Sequence, residues 1–243
     1  MLGDLSARYE SNGDVGAISD NELDWGGKSY GCYQFSSRAG TVERFIQYLK
    51  DTSVSISGEN SVTLSDENGV TLSDEARMIT RNMGHCLGTE CIGSLAFDDV
   101  WRTYAHQYKD LFFRLQHGFI KKEYYDVAVD LLRRDLFYME RHTDVLADVV
   151  WSRSVHYGPY WIVDLFQEAL AFMPMTVPNM YPNLSYVDHI RFDWDLIDAV
   201  YTVCSSYEWN HGPYCESLNE RFRWERYDAL LALDGEYKVR KIW

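Results

Sequence analysis

Two acidic side chains near the start of the chain have the types and spacing that cleavage of a glycosidic bond requires. Glu10 ends a short amphipathic segment, and Asp24 opens a glycine-rich turn fourteen residues later. In glycoside hydrolysis, one carboxyl group protonates the leaving oxygen while another activates water or stabilises an oxocarbenium-like centre. The pattern therefore predicts a catalytic pair, with Glu10 as the general acid and Asp24 as the general base.

The two carboxyl groups need different protonation states at neutral pH. Partial burial beside Tyr9, Tyr30 or Tyr33 would penalise the charged form of Glu10 and raise its pKa. Asp24, in a polar turn, should stay ionised and activate water.

The distance between the two acids decides the course of the reaction. A separation of about 6.5–9.5 Å leaves room for water and predicts inversion, whereas about 5–5.5 Å predicts a covalent intermediate. Sequence spacing does not fix this distance. Asp14, Asp20 and Glu22 are also close enough in sequence to compete for the role of base.

Hydroxyl and amide side chains follow the turn and could hold a saccharide. Such groups donate to and accept from sugar hydroxyl and acetamido groups, or orient the attacking water. Ser29 and Gln34 could instead tie down the turn, and His156 could be an ordinary core histidine rather than a hydrogen-bond partner of a catalytic group. The predicted substrate-binding residues are Ser11, Ser29, Tyr30, Tyr33, Gln34, Ser36 and His156.

Composition limits the classes of function. With 243 residues, 46% hydrophobic and 15% aromatic, residues 1–243 can form one large domain or two closely packed lobes. The formal charge of −14 argues against a nucleic-acid partner, since phosphates would be repelled. A cationic chitosan-like polymer, or delivery within a larger assembly, fits this sign better than independent adhesion to an anionic cell wall.

No cofactor, metal site or targeting segment is expected. His85, Cys86 and Cys91 lie close together, but their spacing matches no zinc ligand set. The five cysteines show no dense disulfide pattern. Residues 1–6 lack the features of a secretory signal, and no apolar stretch approaches the roughly 18 residues of a membrane helix.

Helical periodicity dominates the chain, which predicts a mainly α fold. The residue pair His117–Gly118 is expected to end the helix that begins at Phe97. Helices are predicted from Ser73 through Ile79, Phe97 to about Leu115, Tyr124 through Leu131, Thr143 to His156, Pro159 through Leu170, and near Trp194–Ser205 and Leu218–Leu233.

Two segments interrupt the helical pattern. The insert at about 52–72 contains β-favouring runs separated by Asn68–Gly69, which predicts a small hairpin or flap. The proline-rich stretch at about 173–187 is predicted to be a loop. A helical body with one small β element suggests two lobes flanking a groove.

Three motifs carry a resemblance to a known family. They are Tyr9-Glu10-Ser11, Asp24-Trp25-Gly26-Gly27-Lys28-Ser29-Tyr30-Gly31, and Trp151-Ser152-Arg153-Ser154-Val155-His156-Tyr157-Gly158. Together with Gln34, they resemble the lysozyme-like superfamily, and they look closest to the chitosanase-related peptidoglycan hydrolases of type VI secretion spikes and phage virion or tail proteins. The segments Ile197–Tyr201 and Arg226–Leu230 are similar to the closing helices of that group.

The resemblance implies a two-lobed, lysozyme-like fold with a central cleft and an inverting muramidase that cuts peptidoglycan glycan strands. It also implies delivery to the cell wall or periplasm with other virion, tail or spike proteins. The same fold could serve a lytic transglycosylase, which needs only the acid, or a chitosanase. A structural virion protein that has lost the chemistry is the non-enzymatic alternative.

Overall fold

The structure, a computed structural model, describes residues 2–3, 9, 13–20, 27–54, 74–174 and 181–240. These residues are mainly helical, as the sequence predicts, and include a small β-sheet. The chain divides into two compact units. The N-terminal unit is Glu10–Ile120, and the C-terminal unit is Met1–Tyr9 together with Lys121–Trp243. Within the described ranges, no helix combines the length and apolar character that crossing a bilayer requires.

The N-terminal unit combines a small antiparallel sheet with helices. The described strands pair in the order β1-β2-β3. They are β1 (Ile18–Ser19), β2 (Ser29–Tyr30) and β3 (Phe35–Ser36), followed by helices α1 (Thr41–Val54), α2 (Asp74–Leu87), α3 (Leu95–Gln107) and α4 (Lys109–Ile120).

Aromatic rings form the core of this unit and join the sheet to the helices. Phe35 from β3 lies 5.0 Å, centroid to centroid, from Phe45 of α1. Trp101 of α3 lies 4.8 Å from Phe112 of α4 in an edge-to-face arrangement. Such contacts add directional preference to the burial of apolar surface. The sheet is therefore fixed to the helices by its buried face.

The described residues of the C-terminal unit form helices that are joined by turns and short irregular segments. A π-helical turn (Lys121–Tyr125) precedes α5 (Asp126–Arg134), α6 (Asp144–Tyr157), α7 (Ile162–Ala169), α8 (Asp193–Cys204) and α9 (Cys215–Arg240). Short 3₁₀ segments occupy Met139–Arg141, Pro159–Trp161, Leu170–Phe172, Leu184–Tyr186 and Ile190–Phe192.

Helix α6 is the central element of this unit, and the helix predicted from Thr143 to His156 is confirmed. Thr143 caps it by accepting a hydrogen bond from the backbone N–H of Leu146. The run from Val149 to Ser154 is buried without interruption, so no face of this part of the helix is left to solvent. Gly158, with φ of 88°, ends the helix before Pro159.

The predicted single helix from Phe97 to Leu115 is wrong. It divides into α3 and α4 at Tyr108, whose φ of −133° and ψ of 43° are not helical. The expected break at His117–Gly118 is also wrong, since α4 continues to Ile120. A Cβ at Gly118 would lie 2.8 Å from the Tyr48 hydroxyl. This glycine therefore permits close packing against α1 and does not end the helix.

The two segments predicted to be irregular are only partly described. Residues 52–54 of the predicted β insert belong to α1, so that end of the prediction is wrong; residues 55–73 lie outside the described part. Of the predicted loop at 173–187, Leu184–Tyr186 forms a 3₁₀ turn, and residues 175–180 also lie outside. The described strands instead fall within residues 18–36, where the sequence indicated a glycine-rich turn.

A buried ion pair links α6 to α9 inside the C-terminal unit. Arg153 and Glu225 form a salt bridge, and both side chains are fully buried. The Tyr201 hydroxyl and the Ser152 hydroxyl donate to the same carboxylate at 3.2 and 3.3 Å. Arg221 donates to the other oxygen at 2.6 Å. Burial opposes the charge on Arg153, but the Glu225 carboxylate overrides this effect and raises the pKa of Arg153, so Arg153 stays charged.

Removing one member of this pair should destabilise the protein strongly, because the other charge would remain buried without compensation. We expect Glu225→Gln to lower the free energy of unfolding by about 3–5 kcal/mol, measured by chemical unfolding. Glu220→Gln is the matched control on the same helix, since Glu220 is exposed and its contact with Arg223 is 3.8 Å. A loss no larger than that of the control would contradict this account.

His156 should make stability depend on pH. Burial lowers its pKa well below the usual value, and the nearby Arg153 and Arg221 lower it further. The unfolded chain takes up this proton near pH 6.5, so acidification below that pH favours unfolding. His156→Gln should therefore flatten the decline in unfolding free energy below about pH 6.5, whereas His211→Gln, at an exposed position in the same unit, should not. Equal pH slopes for wild type and His156→Gln would refute the assignment.

Candidate functional site

The small sheet positions the segment that the sequence predicts to bind sugar. Strand β2 is central and pairs Tyr30 with Ile18 on one side and with Phe35 on the other. After β2 the chain reverses through a tight turn, in which the N–H of Gln34 donates to the carbonyl of Gly31 at 3.2 Å. The segment between β2 and β3 is thus held by backbone hydrogen bonds on both flanks.

Gln116 of α4 anchors this turn through its side-chain amide. Gly31 has φ of 76°, and a Cβ there would lie 2.3 Å from Gln116 Oε1, so both backbone conformation and space require glycine. Gln116 Oε1 accepts from the N–H of Cys32 at 2.9 Å, while its Nε2 donates to the carbonyl of Val15 at 3.1 Å. Trp101 Nε1 donates to the same carbonyl at 3.0 Å. One buried amide therefore ties the turn to the chain preceding β1.

Asp98 of α3 provides a second anchor. Its carboxylate is buried and accepts from Lys28 Nζ at 2.7 Å and from the Tyr30 hydroxyl at 2.6 Å. The hydrogen bond to Asp98 raises the pKa of Lys28. Burial, together with the hydrogen bond to Asp98, raises the pKa of Tyr30. Lys28 is therefore charged and Tyr30 neutral at physiological pH.

Three of the predicted binding residues lie in the interior of the unit. Ser29 is 7% exposed, Tyr30 has no exposed surface and Tyr33 is 3% exposed. The Tyr30 hydroxyl is used by Asp98. Burial raises the pKa of the neighbouring Cys32 thiol to about 12, so this thiol stays protonated. These side chains support the turn, and their contact with a saccharide remains a prediction.

Gln34 and Ser36 are partly exposed and keep polar atoms near the surface. Gln34 has φ of 51°, a left-handed conformation that is uncommon for a residue other than glycine. Its Nε2 donates to the Gly31 carbonyl at 3.0 Å, and its Oε1 accepts from the Ser19 hydroxyl at 2.8 Å. Ser36 Oγ accepts from the N–H of Ala39 at 3.0 Å. Both side chains make local hydrogen bonds while remaining partly accessible; for Gln34, tying down the turn was the alternative interpretation.

The remaining predicted site residues are not brought together by the described part of the chain. Glu10, Ser11 and Asp24 lie outside the described residues, so the catalytic pair and its separation stay predictions. His156 belongs to the C-terminal unit, where its ring packs edge-on against Phe222 at 5.3 Å. Its predicted role in substrate binding likewise remains a prediction.

The structure describes two of the three acids that compete with Asp24 for the role of general base. Asp14 Oδ1 accepts from the N–H of Gly16 at 2.9 Å, so its carboxylate closes a local turn. The Asp20 side chain is 61% exposed and lies 3.8 Å from Lys28 Nζ. Glu22 lies outside the described residues. Of the two described acids, Asp20 is the one that faces a pocket.

This pocket adjoins the glycine-rich turn within the N-terminal unit and has a volume of about 410 Å³. Its lining includes Asp20, Gly27, Lys28, Ser37 and Arg38. The volume lies within the range of ordinary small-ligand sites. The polar lining suits a hydrated, hydrogen-bonding ligand such as a saccharide better than an apolar one.

Sequence reasoning missed several residues that shape this region. Asp98 and Gln116 are distant in sequence from the turn they hold, and only their helical positions could have suggested that they point inward. Lys28 and Arg38 carry a clearer signal, as basic residues close to the predicted turn in an acidic chain. Among the described residues, no cluster of three metal-binding side chains has the geometry of a metal site.

Comparison with known proteins places this chain in a family. Residues 2–180 match the family described as type VI secretion system spike protein VgrG3-like, C-terminal. The chain is also similar to the type VI secretion system spike protein VgrG3 of Vibrio cholerae serotype O1 (strain ATCC 39315 / El Tor Inaba N16961), with 33% identity over 158 residues. That alignment covers 65% of this chain but spans only 12% of the length of the relative.

The type VI spike part of the resemblance seen in the sequence is thereby confirmed. The family match includes the segments around Glu10 and Asp24, the sheet and its two anchors, and helix α6. Because the match extends over most of the chain, this protein belongs to the VgrG3-like C-terminal family of type VI secretion system spike proteins.

Proposed function

We propose that this chain is a glycoside hydrolase that cleaves the glycan strands of bacterial peptidoglycan. Glu10 acts as the general acid and Asp24 as the general base, in a lysozyme-like, muramidase-type reaction that inverts the anomeric centre. The observation that carries the proposal is the anchoring of the segment after Asp24. Asp98 and Gln116 hold Lys28–Cys32 through a partly buried hydrogen bond from Lys28 and buried hydrogen bonds from Tyr30 and Cys32, which gives a support of the kind that positioning of catalytic groups requires.

The division of labour follows from environment. Glu10 adjoins Tyr9, and partial burial would keep its carboxyl group protonated for donation to the leaving oxygen. Asp24 opens the predicted glycine-rich turn, and Gly27 and Lys28, which follow it in the sequence, line the polar pocket. Positive charge on Lys28 favours the ionised form of nearby carboxylates, which suits a base that takes a proton from water.

The spike family supports a route of delivery. A domain that belongs to a secretion spike would be carried to its substrate with other spike proteins, so its own affinity for the wall could be modest. This route would account for an acidic chain acting on an anionic polymer. We therefore propose that the domain works in the bacterial periplasm or cell wall as part of a spike.

Glu10→Gln tests the acid assignment, because glutamine keeps the shape of the side chain but cannot supply the proton. We expect clearing of purified cell-wall sacculi to fall by about 10²–10⁴-fold, with the circular dichroism spectrum and melting temperature unchanged. Glu75→Gln, an exposed acid in the first turn of α2, should clear sacculi at the wild-type rate. A folded Glu10→Gln protein with full activity would reject Glu10 as the acid.

Asp24→Asn tests the base and the type of reaction together. We expect turnover to fall by roughly 10²-fold or more, with a smaller change in glycan binding, because the water would lose its base but the substrate would keep its contacts. Asp51→Asn, an exposed acid of α1, is the matched control.

Mass spectrometry of the products that the wild-type protein releases from peptidoglycan and from chitosan completes this test. Hydrolysis leaves reducing muramic ends, a lytic transglycosylase leaves anhydro ends, and a chitosanase releases glucosamine oligomers from chitosan only. Full turnover by Asp24→Asn together with anhydro products would replace hydrolysis with transglycosylation. No product from any of these polymers would favour a structural spike domain.

A further inference from the structure

We infer that the pocket beside the glycine-rich turn is a subsite for a carboxylate group on the glycan, and that Arg38 is the residue that recognises it. This inference rests on the proposed function, which supplies the polymer. Arg38 would thereby determine specificity for a charged group of the substrate, in a pocket whose described lining does not include Glu10 or Asp24.

Arg38 is held in place by the turn itself. Gly27 has φ of 70°, and a Cβ there would lie 2.9 Å from Arg38 Cγ and 3.1 Å from Arg38 Nε. The arginine stem therefore lies directly against the glycine backbone. The adjacent N–H of Ser37 donates to the Lys28 carbonyl at 2.9 Å, which fixes the two sides of the pocket to each other. Contact with Gly27 thus restricts the stem of Arg38, while the residue as a whole remains exposed.

The charges around the pocket explain why Arg38 acts at short range. Lys28 is shared between buried Asp98 at 2.7 Å and Asp20 at 3.8 Å. Together with Arg38, these four formal charges cancel, so they add no net charge beside the pocket. Recognition of a carboxylate must then come from direct hydrogen bonds. A guanidinium donates a planar fork that matches a carboxylate, whereas an ammonium does not.

The other polar groups of the pocket fit the rest of a sugar unit. The Asp20 carboxylate, which would repel a second anion placed beside it, accepts readily from sugar hydroxyl or amide N–H groups. Ser37 can donate or accept. An amino sugar that carries one carboxylate and several hydroxyl groups matches Arg38 and Asp20, whereas a cationic glucosamine polymer leaves Arg38 facing like charge.

The test measures binding and does not depend on cleavage. Arg38→Gln, Arg38→Lys and the control Arg81→Gln, at an exposed position of α2, are made in the Glu10→Gln background. Cosedimentation then gives the affinity for three probes. The first is amidase-stripped peptidoglycan strands, which have free lactyl carboxylates; the second is the same strands with those carboxylates amidated by carbodiimide coupling; the third is peptide-bearing strands.

We expect Arg38→Gln to weaken binding to carboxylate-bearing strands by about tenfold, and to leave binding to the amidated strands unchanged. The affinity of Arg38→Lys for carboxylate-bearing strands should lie between that of the Glu10→Gln background and that of Arg38→Gln. Arg81→Gln should bind as tightly as the background. An effect on stripped strands identifies the lactyl carboxylate, whereas an effect on peptide-bearing strands alone identifies the stem peptide. Either result supports the subsite.

Equal loss on blocked and unblocked strands, or no loss on any strand, overturns the inference. The proposed function is judged separately, by cleavage with Glu10 intact. Carboxylate-dependent binding without cleavage would retain the subsite and reject the hydrolase, whereas cleavage without an Arg38 effect would do the reverse.

Discussion

The buried carboxylate of Asp98 is the interaction on which the N-terminal unit depends. It accepts from Lys28 and from Tyr30 at 2.7 and 2.6 Å, and so fixes β2 to the first turn of α3. A strand of two residues cannot hold its position through its own ladder, because short pairings in isolation are marginal in water. Loss of this acceptor would leave the buried Tyr30 hydroxyl without its partner, at a cost of about 1–3 kcal/mol. The position of β2 thus depends on a side chain from a helix that is distant in the sequence.

Much of the helical architecture could be predicted from the sequence, because apolar periodicity over many residues is a strong signal. Helix α6 is the clearest case: the Thr143 cap, the apolar run at Val149–Trp151 and the terminator Gly158 all indicate the same element. Prediction failed where tertiary packing overrode local preference. Gly118 resembles a helix end, but it lies inside α4, where the absence of a side chain leaves room for the Tyr48 hydroxyl. The backbone departs from helical geometry at Tyr108, although tyrosine is not a residue type that usually ends a helix.

The sequence indicates a chemistry for the candidate site, which stays a prediction, but it does not indicate the residues that support the turn. The acids and the hydroxyl and amide side chains could be identified because their types and spacing imply a reaction. The strands could not, since period-2 alternation is not detectable over two residues. Nor could the sequence separate buried from accessible members of one short segment. Tyr30 and Gln34 are four residues apart, yet one is a core residue bound to Asp98 and the other remains partly exposed with a left-handed backbone.

A chain with a formal charge of −14 and an anionic polymer should repel each other at long range. The proposed subsite and the spike family together resolve this conflict. Around the pocket the acidic groups Asp20 and Asp98 are matched in number by Lys28 and Arg38, so these four groups add no net charge at the proposed subsite. Physiological salt limits the remaining field to about 8 Å. Attachment to a spike would raise the effective concentration of the polymer, and recognition could then depend on short-range hydrogen bonds instead of attraction at a distance.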